Sequence, residues 1–355
     1  MKIALVNDLT LALEALRRVV VSCPGYEIAW LARDGAEAVR RCAEDPPEVI
    51  LMDLIMPVMD GVEATRRIVQ AQPGCAILVV TATVEGHLSR VFEAMGAGAL
   101  DAVNTPVLGT DGQVHGGAEL LRKIAIVGRL ATRAGMASVA RVMTPAVIPP
   151  PASGAAAAAP ASTARQAVPY LVALASSTGG PAALADLLAE MPAAVPAAFV
   201  VVQHVDVQFA ADLAVWLGGR CRLPVRTIRP GDRPEAGVVL LAATNDHLWI
   251  GEGGGMSYRE EPRELFYRPS ADVFFRALAG SWPLPGAAVV LTGMGRDGAA
   301  GLLALRQAGW WTAAQDAASS VVHGMPGAAI ELNAAEVVAS PAALGRDLAR
   351  RLAGQ

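Results

Sequence analysis

Short apolar runs alternate with segments of helical periodicity along the first 130 residues of the chain. Apolar residues recur at helical spacing over 9–22, and a further helix is predicted to open near Gly35. The apolar runs that predict strands are 2–6, 28–32, 49–53, 77–81 and 99–103. Strands that alternate with helices in this way predict a parallel sheet with helices on both faces.

The same alternation begins again at Tyr170 and continues to the C-terminal region. Strands are predicted at 170–175, 198–203, 238–242, 286–292 and 311–315, with helices near 181–190, 208–218, 271–280, 298–308 and 341–353. The segment Glu252-Gly253-Gly254-Gly255 is typical of a tight turn, so strands near 247–251 and 256–260 should form an antiparallel hairpin at a sheet edge. A second, larger, doubly wound α/β domain is therefore predicted.

The tract between these regions is rich in alanine and proline and follows neither periodicity. Such a composition buries too little apolar surface to offset the entropy lost on ordering, which predicts a flexible linker. Prolines 149, 150, 151 and 160 also exclude a membrane-spanning helix there. The predicted divisions are a first domain over 1–133, a linker over 134–167 and a second domain over 168–355.

Composition narrows the classes of function. The 355 residues carry a net charge of −4 and contain no Lys/Arg-rich run, which disfavours nucleic-acid binding. The four cysteines show neither disulfide nor metal-site spacing, as expected of reduced thiols in a cytoplasmic protein. The first apolar segment is too short for a signal peptide, which points the same way.

Two acidic residues mark a candidate metal site in the first domain. Asp8 follows the first predicted strand and Asp53 ends the third. The carboxyl ends of parallel strands border one crevice, so the two carboxylates should converge into a hard-oxygen site suited to Mg²⁺. A carboxylate beside a divalent cation can attack a phosphoryl group. The alternative is that both residues only cap strand ends; Pro57 and Gly61, placed where a loop turns into a helix, favour the metal site.

Three residues at separate strand ends predict a serine hydrolase in the second domain. Ser177 lies in a glycine-containing strand-to-helix turn, near helix amides that can stabilise an oxyanion, although such a turn alone could simply bind an anion. His204 ends the next strand and is a candidate base for Ser177. Asp297 ends a glycine-rich loop and could orient His204, cap helix 298–308, or do both. This chain order differs from the common Ser/His/Asp triads.

Residues 1–125 resemble phosphoacceptor receiver domains, above all in the motif Leu-Met-Asp-Leu-Ile-Met-Pro-Val-Met-Asp-Gly at 51–61. The resemblance implies a flavodoxin-like fold with a five-stranded parallel sheet. It also implies that Asp53 is the phosphoacceptor and that Thr81 senses the phosphoryl group. It implies Mg²⁺ ligation by Asp8, Asp53 and the backbone carbonyl of Ile55, with Asn7 contributing through water. The sequence departs from the family pattern at Asn7 (often acidic), Thr105 (almost always lysine) and Ala102 (often aromatic).

Residues 169–350 resemble the catalytic domain of chemotaxis protein-glutamate methylesterases, the CheB family. The motifs that carry the resemblance are 177–181, 203–204, 268–272, 291–298, 315–316 and 319–326. It implies that Ser177, His204 and Asp297 hydrolyse γ-methyl glutamyl esters on methyl-accepting receptors, without a cofactor. It also implies oxyanion support from the backbone at Thr178 and Met294, and in some relatives glutamine deamidation.

The combined resemblance implies a cytoplasmic monomer that a CheA-type histidine kinase phosphorylates and that neither enters the membrane nor binds nucleic acid. Val6-Asn7-Asp8 and the segment 101–106 are similar to methylesterases of Wsp-type surface-sensing systems. A non-catalytic adaptor that binds the receptor or the kinase is the alternative. The intact Ser177, His204 and Asp297 favour the enzyme.

Overall fold

The computed structural model describes residues 1–81, 89–109, 114–134, 169–265 and 267–354. Contacts between Cα atoms divide the chain into two compact units, Met1–Met143 and Thr144–Gln355. Residues 135–167 of the predicted linker lie outside the described residues. Within the described part, no helix combines the length and apolar character needed to cross a bilayer.

The first unit contains a five-stranded parallel sheet in the order β2-β1-β3-β4-β5. Its elements are β1 (Lys2–Val6), α1 (Thr10–Val21), β2 (Glu27–Ala32), α2 (Gly35–Glu44), β3 (Val49–Met52), α3 (Gly61–Ala71), β4 (Ala76–Thr81), α4 (Ser89–Gly96), β5 (Asp101–Asn104), β6 (Val107–Leu108), β7 (Val114–His115) and α5 (Gly117–Ala134). All four residues of β3 are fully buried, because helices cover both faces of the sheet. Helix α1 turns Leu13, Leu16 and Val20 towards the core.

The predicted five-stranded parallel sheet of the first unit is confirmed, and one strand boundary differs by more than one residue. The fifth strand begins at Asp101 rather than at residue 99, because the turn that ends α4 continues through Gly98, whose φ is +114°. The short hairpin β6–β7 was not predicted, since strands of two residues carry no periodic signal.

The second unit contains a seven-stranded parallel sheet in the order β10-β11-β9-β8-β14-β15-β16. Its elements are β8 (Tyr170–Ser176), α6 (Gly180–Ala189), β9 (Ala197–Gln203), α7 (Val207–Gly218), β10 (Val225–Thr227), β11 (Val239–Leu241), β12 (His247–Ile250), β13 (Met256–Arg259), α8 (Ala271–Ser281), β14 (Ala287–Val290), α9 (Ala299–Gln307), β15 (Trp311–Gln315), α10 (Met325–Glu331), β16 (Val337–Ala339) and α11 (Pro341–Ala353). The order reverses at β8, which has β9 on one side and β14 on the other. In open sheets, such a reversal leaves a crevice at the carboxyl ends of the strands.

The predicted antiparallel hairpin is present, but it does not lie at an edge of the large sheet. Strands β12 and β13 form a two-stranded sheet of their own, and its apolar side joins the core that contains Phe274 and Leu278 of α8. The edge positions belong to the short parallel strands β10 and β16, which the sequence analysis did not find. His247 is the first residue of β12 and is fully buried.

Candidate active site

The two central strands of the second unit bring Ser177 and His204 to adjacent positions. Strands β8 and β9 are paired so that Ser176 lies opposite Gln203. Each candidate residue therefore follows directly on one of two hydrogen-bonded strands, and the His204 amide donates to the Ser176 carbonyl at 2.9 Å. Because the strands are parallel, both residues emerge at the same edge of the sheet.

The backbone of Ser177 is fixed from three directions. Its N–H donates to the Thr292 carbonyl at 3.0 Å, and its carbonyl accepts from the Gly180 amide at 2.7 Å and from Gln203 Nε2 at 2.9 Å. Gly179, the N-cap of α6, has φ +77°, and a Cβ there would lie 2.6 Å from the Val321 side chain. Only glycine fits at this position of the turn.

Asp297 lies in the loop that follows β14, and this loop passes close to Ser177. A Cβ on Gly293 would lie 2.7 Å from Ser177 Cβ, so the loop can pass this close to the serine only because residue 293 is glycine. Gly295 and Gly298 adopt φ values of +87° and +84°, which L side chains rarely reach. Gly298, rather than Asp297, is the N-cap residue of α9. The Asp297 side chain is therefore available for other partners.

Four donors hold the Asp297 carboxylate, two on each oxygen. Oδ2 accepts from His204 Nε2 at 2.8 Å and from the Ala271 amide at 2.6 Å. Oδ1 accepts from Ser270 Oγ at 2.6 Å and from the Asp272 amide at 3.1 Å. The two amides belong to the start of α8, where the helix dipole favours an anion. Burial alone would raise the pKa of Asp297, but the His204, Ser270 and Ala271 donors outweigh it and hold the pKa below its ordinary value.

The anionic state of Asp297 determines the tautomer of His204. An ionised carboxylate only accepts hydrogen bonds, so Nε2 of the imidazole carries the hydrogen. In the neutral ring Nδ1 is then the unprotonated nitrogen. It is buried and has no hydrogen-bond partner among the described residues. With the two side chains only 8% and 9% exposed, the pair presents a desolvated base.

Ser177 Oγ and His204 Nδ1 are not hydrogen-bonded to each other within the described structure. In hydrolases this contact often tightens only in the complex with substrate. The structure thus brings His204 and Asp297 into direct contact and places Ser177 on the neighbouring strand end.

Of the two backbone groups expected to support an oxyanion, Thr178 directly follows Ser177, and Met294 lies in the glycine loop that approaches Ser177 through Gly293. Thr178 is buried, and its carbonyl accepts from Thr292 Oγ1 at 3.0 Å. The Met294 amide, in the glycine loop, donates to no residue in the described ranges. An amide without an internal acceptor in this loop is a candidate donor to a developing oxyanion.

Sequence analysis assigned no role to four residues around this site: Gln203, His247, Tyr267 and Ser270. Gln203 and Ser270 belong to motifs that carried the family resemblance, and Ser270 also has the pattern of a helix N-cap. No sequence signal marks Tyr267 or His247, because their contacts depend on how distant segments pack.

In the first unit, the pairing of β1 with β3 brings Asp8 and Asp53 to one edge of the sheet. Val6 lies opposite Met52, and the Asp53 amide donates to the Val6 carbonyl at 2.9 Å. Burial, reinforced by the negative charge of Asp8, raises the pKa of Asp53 to about 6, although the Leu54 amide donates to its carboxylate at 2.7 Å. Two carboxylates that repel each other in this way suit a divalent cation.

The other expected ligands only partly match that expectation. Asn7 is buried, and its Oδ1 already accepts from the Leu9 amide at 2.9 Å. The described residues contain no cluster of three acidic, histidine or cysteine side chains. Two carboxylates, the Ile55 carbonyl and water oxygens nevertheless make a donor set that fits Mg²⁺, which usually keeps several waters.

Thr105 occupies the place where the receiver resemblance expects lysine. Its amide donates to the carbonyl of Thr81, the last residue of β4, at 3.0 Å. Its hydroxyl is buried without a hydrogen-bond partner among the described residues. Lys123 does not replace the missing lysine, because its Nζ bonds Asp101 Oδ1 at 2.8 Å, at the opposite end of β5.

A parallel sheet with an acidic pocket, joined to an α/β unit with a Ser/His/Asp arrangement, defines a response regulator with a hydrolase output. Comparison with known proteins agrees. The response regulator receiver domain family matches residues 3–111, and the CheB methylesterase family matches residues 172–348. The chain belongs to the CheB family of receiver-containing protein-glutamate methylesterases.

Similar proteins match almost from end to end. A protein-glutamate methylesterase/protein-glutamine glutaminase 3 of Pseudomonas aeruginosa is 50% identical over 340 residues, covering 96% of each chain. An enzyme of the same name, of the group 3 operon of Pseudomonas putida, is 52% identical and covers 94% of each chain. The crystal structure of the Thermotoga maritima CheB methylesterase catalytic domain is 30% identical, with a TM-score of 0.50 over 52% of this chain and all of that one.

Proposed function

We propose that this protein is a phosphorylation-regulated serine hydrolase that demethylates γ-methyl glutamyl esters on methyl-accepting chemotaxis-type receptors. The observation that carries the proposal is the fixed His204–Asp297 pair. Its Nε2–H tautomer leaves Nδ1 as a base, and Ser177 lies on the adjoining strand end. The similar proteins of Pseudomonas aeruginosa and Pseudomonas putida, named as methylesterases and glutaminases, support this choice of substrate.

In the proposed acylation step, His204 Nδ1 removes the proton from Ser177 Oγ as the oxygen attacks the ester carbonyl. The oxyanion of the tetrahedral intermediate accepts from the Met294 amide and from the turn at Thr178. Protonated His204, stabilised by the Asp297 carboxylate, then gives its proton to the leaving oxygen. Methanol departs, and Ser177 holds the glutamyl acyl group.

In the proposed second step, water repeats the attack with His204 again as the base and releases the glutamate. A glutamine side chain can enter the same cycle, with ammonia leaving in place of methanol. The glutaminase in the names of the relatives supports this second activity. Neither reaction needs a cofactor in the esterase unit.

In the receiver, Asp53 would accept a phosphoryl group from a CheA-type histidine kinase and thereby raise esterase activity. Asp8, Asp53 and the Ile55 carbonyl would hold Mg²⁺, with Asn7 acting through water. When bound, the cation offsets the charge between the carboxylates and the phosphoryl group. The buried Thr81, at the end of β4, would contact the phosphoryl group through its hydroxyl.

The remaining parts of the proposal concern organisation and context. We place the receiver at 1–133, a linker at 134–167 and the esterase at 168–355, in a cytoplasmic monomer without nucleic-acid or membrane partners. Asn7 and Thr105, with the segments around them, support a Wsp-type surface-sensing pathway.

The central test is methanol release from purified methylated receptor. Ser177→Ala should lower the rate to that of the uncatalysed reaction, because no other group replaces the nucleophile. Ser281→Ala, at the last residue of α8, serves as the matched control and should retain the wild-type rate. Wild-type turnover by Ser177→Ala would refute the assignment, and receptor binding without methanol release by the wild type would indicate a non-catalytic adaptor instead.

Regulation is tested with a small phosphodonor and Mg²⁺. Wild-type protein should release methanol faster after addition, whereas Asp53→Asn should not respond. If Asp53→Asn is stimulated as strongly as the wild type, Asp53 is not the phosphoacceptor.

A further inference from the structure

One short segment contacts both members of the His204–Asp297 pair. Tyr267 stacks its ring on the His204 imidazole, with centroids 4.4 Å apart and planes inclined by only 5°. Three residues further on, Ser270, Ala271 and Asp272 supply three of the four donors to Asp297. The segment 267–272 therefore contacts the face of the His204 imidazole and also supplies hydrogen bonds to the Asp297 carboxylate.

The other end of the Tyr267 ring lies over the glycine loop. A Cβ on Gly295 would come within 3.0 Å of the Tyr267 hydroxyl oxygen and within 3.2 Å of Cε2. The ring thus extends from His204 to the loop that contains Met294 and Asp297. This contact limits how far the ring can slide from the imidazole.

His247 fixes the base of the same segment. Its Nδ1 accepts from the Ser270 amide at 3.2 Å, so the neutral ring donates from Nε2 to the Pro262 carbonyl at 3.0 Å. Pro262 and Ser270 lie on either side of Tyr267 in the chain. The fully buried His247 side chain therefore hydrogen-bonds to residues on both sides of Tyr267.

We propose that Tyr267 is a positioning residue for the reaction of Ser177: it fixes the plane of the His204 ring and stabilises the imidazolium that forms when Ser177 loses its proton. The inference rests on the proposed function. A parallel stack restricts rotation of the imidazole about its side-chain bonds. A cation over an aromatic face is attracted by the electrons of the ring, and the attraction grows when water is excluded.

Among the described residues, Asp297 is the only charged group hydrogen-bonded to the imidazole, so protonation of His204 should respond to the loss of the Tyr267 ring. Asp297 bonds it directly, and Asp272, from α8, instead accepts from the Gly301 amide. Arg296 is exposed and paired with Glu331. Asp206, two residues along the chain, caps α7 through the Gln208 amide.

Two substitutions separate the ring from its hydroxyl. Tyr267→Phe keeps the stack and should stay within about 3-fold of wild-type kcat. Tyr267→Leu keeps much of the volume but removes the aromatic face, and should lower kcat about 10-fold with little change in KM. Tyr170→Leu, at the opposite end of β8, is the control for loss of a half-buried tyrosine.

The decisive readout is the pH dependence of Ser177 modification by a fluorophosphonate, together with methanol release, from pH 5 to 9. Without the ring the imidazolium is less stable. The acidic limb for Tyr267→Leu should therefore move to lower pH by roughly half a unit, while Tyr267→Phe and Tyr170→Leu keep the wild-type limb. An unmoved limb in Tyr267→Leu, or a loss in Tyr267→Phe as large as in Tyr267→Leu, would overturn the role of the stack.

Ser177→Ala, measured in the same experiment, separates this inference from the proposed function. If Ser177→Ala still releases methanol, the hydrolase assignment itself fails. If Ser177→Ala is inactive but Tyr267→Leu matches the wild type in rate and pH profile, only the role of Tyr267 fails. Thermal unfolding of each variant identifies any loss that comes from misfolding, and recovery in Tyr267→Phe shows that the aromatic ring is what matters.

Discussion

Asp297 and Asp53 occupy comparable places in the two units and have opposite charge preferences. Asp53 directly follows the buried strand β3, and Asp297 ends the glycine-rich loop that follows the buried strand β14. Hydrogen bonds from His204, Ser270 and Ala271 outweigh burial and hold the pKa of Asp297 below its ordinary value. Burial and the neighbouring Asp8 raise the pKa of Asp53 to about 6. Placement at a strand end therefore does not set the charge state of a carboxylate; the number and sign of its partners do.

The hydrogen bonds of Asp297 are satisfied within the protein, whereas those of Asp53 leave room for a ligand. Asp297 has its full set of hydrogen bonds within the protein and serves to fix another side chain. Asp53 has a backbone donor on one oxygen and the negative charge of Asp8 nearby, so a bound cation would relieve an unfavourable interaction between the two carboxylates. The Asp297 carboxylate is thus satisfied by the protein alone, whereas the Asp53 carboxylate is not.

Among substitutions of the two contrasted carboxylates and their surroundings, the largest effect is expected from Asp297→Asn. Each oxygen of the Asp297 carboxylate accepts from two donors. The asparagine side chain replaces one of these oxygens by an NH₂ group, so in either orientation the NH₂ group faces two donors and cannot accept from them. If the NH₂ group faces His204, the imidazole must carry its hydrogen on Nδ1 and the base is lost. We expect kcat for methanol release to fall about 1,000- to 10,000-fold.

Asp272→Asn is the control for that loss, because its oxygen can still accept from the Gly301 amide. Its kcat should remain near the wild-type value. Equal losses in the two variants would show that Asp297 only supports the fold.

The second prediction concerns the stability of the receiver. Because folding raises the pKa of Asp53 from 3.8 to about 6, its carboxylate destabilises the folded state at neutral pH. The folded form binds the proton more tightly, so this residue's contribution favours folding at low pH and is lost as pH rises from about 4 to 6. At pH 7, Asp53→Asn should raise the free energy of unfolding by up to about 3 kcal/mol.

Denaturant unfolding at several pH values measures this difference, which should vanish below about pH 4. Mg²⁺ should stabilise the wild type at pH 7 more than it stabilises Asp53→Asn. Asp34→Asn, which can still cap α2, should leave the stability almost unchanged. An Asp53→Asn protein that is less stable than the wild type at pH 7 would contradict the unfavourable charge.

A smaller effect is expected at Gly295, in the loop that carries Asp297. Gly295→Ala must place a Cβ at φ +87° and 3.0 Å from the Tyr267 hydroxyl. The cost should be about 1–2 kcal/mol in unfolding free energy, with a lower kcat as the tyrosine shifts. Gly255→Ala meets no atom within 4 Å and has no positive φ, so its unfolding curve should match the wild type.

The smallest effect is expected at Thr105. Its buried hydroxyl has no hydrogen-bond partner among the described residues, so Thr105→Val should be neutral or stabilising by up to about 1 kcal/mol. In the other unit, Thr292 Oγ1 donates to the Thr178 carbonyl and accepts from the Val322 amide. Thr292→Val should therefore cost about 1–3 kcal/mol. Calorimetry of both variants tests whether the two sites differ as proposed.

The alternation of apolar runs and helical periods determined the two parallel sheets and most of their elements. Sequence patterns also placed Ser177, His204, Asp8 and Asp53 at or just beyond strand ends, because a strand ends where its apolar run ends. The short strands β10 and β16 were not predicted, because each has three residues, too few to show a period.

Only the tertiary structure decided which ends meet and how their side chains are held. The order β9-β8-β14 brings three distant segments together, and strand order depends on packing across the whole sheet. The His204 tautomer follows from Asp297 and its donors, and the Tyr267 stack and the buried His247 follow from the course of one loop. Local sequence fixes residue types and periods, whereas contacts between segments far apart in the chain set charge, tautomer and orientation.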